Sequence, residues 1–65
     1  MENKEVKITE KNLMNLKFVM VKKFGEVNYS RLAKEIGLSR QSIYKAINNA
    51  PGYNKTRQTI LNWIK

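Results

Sequence analysis

Tyr29 to Asn48 reads YSRLAKEIGLSRQSIYKAIN. Leu32, Ala33 and Ile36 recur at helical spacing, Gly37 interrupts, and Ile43 and Ile47 resume the pattern beyond it. A tight turn is predicted at Gly37, because the positive φ it needs is cheap only for glycine. Ser39 supplies an N-cap hydroxyl, and Leu38 and Ile43 flank it at the spacing of a hydrophobic staple. Ala33 is small where a second helix has to cross closely. Two short helices follow, Tyr29 to Ile36 and Arg40 to about Asn48, joined by a turn.

The same devices recur outside this stretch. Asn28 caps the first of the two helices, with Val27 set to staple onto Leu32. Further back, Thr9 caps a longer helix, Glu10 complements its dipole, and Ile8 can staple to Leu13. Leu13, Leu16, Met20 and Phe24 form the apolar stripe of that helix, widened by Val21, and Gly25 ends it. Lys11, Asn15, Lys22 and Lys23 then face outward. Asn49-Ala50-Pro51-Gly52-Tyr53 is a break, and Asn54 caps a last helix with Ile60, Leu61, Trp63 and Ile64 on its apolar side. Trp63 reads as the plug of a small core or as part of a dimer contact. Residues 1–8 read as a flexible arm. Val6-Lys7-Ile8 alternates like a short extended piece, and Lys4 and Lys7 fit either a basic arm for a minor groove or a frayed terminus, the simpler reading. The fold class is all-α: one compact four-helix domain over residues 1–65.

Composition narrows the function. The chain has 65 residues and a formal net charge of +8, which points to a polyanionic partner. It has no cysteine and no histidine, and its only acids are Glu2, Glu5, Glu10, Glu26 and Glu35. A metal site, a cofactor or an acid–base pair has little to draw on, so no enzyme is expected. No apolar run approaches membrane-spanning length and no signal-peptide core is present, so a cytoplasmic, nucleoid-associated protein without a membrane partner is expected.

Two short helices about a tight turn, in a basic chain, make a helix-turn-helix, whose second helix lies in the major groove of DNA. GLSRQSIYKAINN, Gly37 to Asn49, resembles the turn and recognition helix of the lactose-repressor family and of the lambda-type Cro and repressor proteins. In the first of these the turn glycine is followed by an apolar residue, a Ser cap, a variable residue, Gln, a small hydroxyl residue and a β-branched residue. Here those are Leu38, Ser39, Arg40, Gln41, Ser42 and Ile43. Lys55-Thr56-Arg57 resembles the opening of the helix that follows the motif in the lactose-repressor family. The resemblance covers Tyr29 to Arg57, and a helix ahead of the motif is the lambda-type arrangement. It implies base contact at Arg40, Gln41 and Lys45, and a grip on the DNA backbone at Asn48.

Side-chain chemistry agrees. With Ile43, Ala46 and Ile47 inward, Arg40, Gln41, Tyr44 and Lys45 face the groove. Gln41 pairs a donor with an acceptor, which suits adenine, whereas Arg40 and Lys45 suit guanine or a phosphate. Tyr44 suits a thymine methyl or a phosphate. Phosphate contacts are expected from Asn28, Tyr29, Ser30 and Arg31, from Ser39, Ser42 and Asn48, and from Tyr53, Asn54, Lys55, Thr56 and Arg57. The expectation is a small transcriptional repressor that binds double-stranded DNA as a homodimer on a palindromic operator. With nothing after Lys65, no small-molecule effector is expected, and the size fits a repressor carried by a phage or plasmid. The alternative is a DNA-binding antitoxin, recombination accessory or segregation factor with a protein partner, signalled by an exposed patch around Trp63. A third reading, an interaction module that has lost DNA binding, is opposed by the basic outer face of the second helix.

Overall fold

The computed structural model describes residues 6–65, and all the regular structure among them is helical. Four helices follow one another: α1 (Glu10–Phe24), α2 (Tyr29–Ile36), α3 (Arg40–Ile47) and α4 (Asn54–Trp63). The starts of the first three are set by their caps. Thr9 accepts the amide of Asn12 at 3.1 Å, Asn28 that of Arg31 at 3.0 Å and Ser39 that of Ser42 at 3.1 Å. At Thr9 the box is reciprocal, with Asn12 Oδ1 in the role usually given to Glu or Gln.

The helix ends are equally local. Gly37 adopts φ +73°, Leu38 N–H donates to Ala33 O at 2.8 Å and Gly37 N–H to Lys34 O at 3.4 Å, the paired bonds of a Schellman motif. α3 ends the same way with asparagine in the left-handed position. Asn49 has φ +60°, Ala50 N–H donates to Lys45 O and Asn49 N–H to Ala46 O, each at 3.0 Å. Asn54 does not cap α4. Tyr53 occupies the cap position without a side-chain hydrogen bond, and Asn54 is the first helical residue.

Leu16, Met20, Leu32, Ala33, Ile43, Ala46 and Ile60 form the core, ringed by half-buried residues that include Leu13, Phe24, Tyr29, Ile47, Tyr53 and Trp63. All four helices contribute, which is how so short a chain closes a core. Trp63 lies at the rim, its ring 5.7 Å from that of Phe24 and 5.6 Å from Lys23 Nζ. Val21 does not widen the buried stripe; it is exposed, because α1 turns it more than a quarter-circle away from Leu16 and Met20.

Val6 and Ile8, which fall within the expected arm of residues 1–8, are tied to the body of the fold; residues 1–5, Lys4 among them, lie outside the described part. Val6 N–H donates to Asn54 Oδ1 at 3.0 Å, and Val6 O accepts Arg57 Nε. Ile8 is buried and is held on both its amide and its carbonyl by the carboxamide of Asn49. The backbone groups of Val6 and Ile8 are thus satisfied by side chains.

Candidate nucleic-acid interface

α3 buries Ile43 and Ala46 and turns Arg40, Gln41, Tyr44 and Lys45 to the surface. Two contacts tie this outer face to the start of α2. Arg40 Nη1 donates to Ser30 Oγ at 3.3 Å, and the rings of Tyr44 and Tyr29 lie 5.2 Å apart at 55°. Arg40, Tyr44, Tyr29 and Ser30 are therefore one assembled ridge. Burial, and then the neighbouring Tyr44 phenol, push the Tyr29 hydroxyl above its ordinary value. Gln41 and Lys45 stand on the same face, and their side chains hydrogen-bond to no described residue.

Other expected contacts are already partly engaged. Ser39 Oγ accepts the Ser42 amide in the cap and donates its proton to Ser42 Oγ at 2.9 Å. Asn28 donates to Glu26 Oε2 at 3.2 Å, which brings a carboxylate to the start of α2. Asn48 Nδ2 donates to Tyr44 O at 2.9 Å. Arg31 is exposed, with its guanidinium 4.7 Å above the Phe24 ring. Arg31, Asn28 and Ser30 line a shallow open depression completed by Lys34. Lys34 escaped the sequence reading, although its place one turn after Arg31 was the available signal.

The opening of α4 departs furthest from expectation. Arg57 does not face outward; it is 1% exposed. Its guanidinium donates to Ala46 O at 3.2 Å, Ala50 O at 3.0 Å and Asn54 Oδ1 at 3.1 Å, besides Val6 O. It is a structural cation that joins the end of α3, the following loop, α4 and the N-terminal segment, with four of its five N–H groups engaged inside the fold. Asn54 is half-buried, with Oδ1 shared between Val6 and Arg57. Lys55 is exposed, whereas Tyr53 and Thr56 are half-buried.

Arg31 and Lys34 on α2, Arg40 and Lys45 on α3, and Lys55 on α4 are exposed cations. No family model matches the chain, and no curated protein or solved structure matches it. What the surface can do follows from its chemistry alone. It offers cations for an anionic backbone, a neutral carboxamide with a donor and an acceptor, and two phenols. No helix of the described part is long and apolar enough to cross a membrane.

Proposed function

We propose that this chain is a sequence-specific double-stranded DNA-binding protein, a small transcriptional repressor that inserts α3 into the major groove. The observation that carries the reading is the outer face of α3. Arg40, Gln41, Tyr44 and Lys45 are exposed together on a short helix joined to α2 by a glycine turn. Gln41 weighs most, because an uncharged donor–acceptor pair adds nothing to non-specific attraction and matches one base edge. Arg31, Lys34 and Lys55 supply the grip on phosphates, and a homodimer places two copies of α3 on a palindrome. No cofactor takes part.

The test is selection of bound duplexes from a random pool, followed by titration of the selected site across salt concentrations. The expected result is a palindromic consensus with half-sites about 34 Å apart and a log–log salt slope of about −0.9 per phosphate neutralised. No enrichment and a flat salt response overturn the reading. A second reading keeps DNA binding and adds a protein partner, as in an antitoxin, recombination accessory or segregation factor. It draws support from an exposed apolar stripe, which lies on α1 and not around Trp63.

A further inference from the structure

α1 has two apolar stripes, and the core uses only one of them. Leu16 and Met20 are buried, with Leu13 and Phe24 packed beside them. On the far side Met14 is 71%, Phe18 61% and Val21 48% exposed. Scattered surface apolar residues are ordinary, but these three stand at i, i+4 and i+7 along one line. They occupy successive d, a and d positions of a heptad, with Lys11 at the preceding a, Lys17 at a g and Lys22 at an e. Asn15 and Lys11 join Met14 and Phe18 around an open groove on this face. Lys22 Nζ lies 5.6 Å from the Phe18 ring, so a cation sits against the apolar seam.

Charge selects the occupant. From Lys11 to Phe24 the helix carries Lys11, Lys17, Lys22 and Lys23 and no acid. A second copy laid on this face would set lysines against lysines, a like-charge juxtaposition that opposes pairing. A helix with an apolar stripe flanked by carboxylates complements both the seam and its rims. We infer that the outer face of α1 docks an acidic amphipathic helix of another protein through Met14, Phe18 and Val21, with Lys17 and Lys22 pairing to carboxylates on either side. The proposal stands apart from the DNA reading, since the stripe and the outer face of α3 are on different helices and share no residue.

The experiment uses the whole chain and three labelled synthetic helical peptides, with fluorescence anisotropy as the readout. One peptide has Leu at a and d and Glu at e and g; the second replaces Glu by Lys; the third keeps Glu but has Ser at a and d. The first is expected to bind at least about tenfold more tightly than either control, the resolution of about 1.4 kcal/mol. Phe18→Ser should remove at least about tenfold of that affinity with helix content unchanged by circular dichroism, because Phe18 is exposed. The pair K17E and K22E should reverse the preference toward the Lys peptide. Equal binding of the first and third peptides, or an unchanged Phe18→Ser variant, overturns the proposal in favour of undirected charge attraction. Self-association of the chain that Phe18→Ser abolishes assigns the face to a second copy, and Phe18-dependent binding to phosphatidylglycerol vesicles in place of the peptide assigns it to a lipid surface; each overturns the proposal, as does no binding. The assay contains no DNA, so its failure leaves the DNA reading untouched.

Discussion

Asn49 holds Ile8 with both halves of its carboxamide: Ile8 N–H donates to Oδ1 at 2.8 Å, and Nδ2 donates to Ile8 O at 3.0 Å. The same residue closes α3 at φ +60°. Two demands therefore meet in one side chain, a left-handed backbone and a reach across the loop. Asn49→Gly satisfies the first and loses the second, and should cost about 1–2 kcal/mol for two hydrogen bonds. Asn49→Ala loses both and should cost about 1 kcal/mol more, because a Cβ disfavours the left-handed region. Thermal unfolding followed by circular dichroism measures the order. Equal stability of the two variants would show that the backbone conformation carries no cost.

Arg57 separates structure from DNA contact. Arg57→Ala removes a buried cation and strands the carbonyls of Val6, Ala46 and Ala50. The expected loss is about 3–5 kcal/mol, the range for a broken buried network, and enough to unfold a marginal small domain. Arg57→Lys should recover only part, since one ammonium cannot span the positions served by a guanidinium. A variant that keeps its melting temperature and loses only DNA affinity would return Arg57 to the phosphate contacts.

Gln41→Ala should cost about 1–3 kcal/mol on the selected site and almost nothing on scrambled duplex at the same salt. Fold stability should barely change, since Gln41 is exposed and alanine is the better helix former. Lys55→Ala should instead weaken both duplexes alike and make the salt slope shallower by about one. If Gln41→Ala weakens both duplexes equally, another residue of α3 reads the base.

Tyr29 gives a pH signature. The folded chain favours the protonated phenol, first through burial and then through Tyr44. The stabilisation is therefore fully present below the ordinary value of 10.0 and is lost as pH rises through the higher folded value. Absorbance titration should show one phenol ionising late. Tyr44→Phe should lower that midpoint while leaving it above the ordinary value, because burial is the larger cause. A return all the way to the ordinary value would make the Tyr44 charge the dominant effect.

Part of the candidate site was legible in the sequence for a simple reason. Arg40, Gln41, Tyr44 and Lys45 flank Ile43 on a helix of known phase, so placing Ile43 inward places them outward. The first turn of α4 offered no such anchor. Lys55 and Arg57 look alike in the sequence, yet one is exposed and the other is buried.

By itself the sequence determined where the first three helices begin and where the first two end. Thr9, Asn28, Ser39, Gly25 and Gly37 act on amides and carbonyls within five residues of themselves, so their signals need no tertiary context. The buried stripe of α1 was legible too, since Leu13, Leu16, Met20 and Phe24 are the set that packs inward; only the tertiary structure decided that Val21 stays outside it, and where the N-terminal segment goes. Val21 was read as widening that stripe, yet the packing of α1 against the other helices leaves it exposed on the side of Met14 and Phe18. Arg57 meets Val6 across a separation of 51 residues, and Asn49 meets Ile8 across 41. A cation at the start of a helix is ordinarily solvated, and it becomes the tie of the fold only where distant carbonyls converge on it.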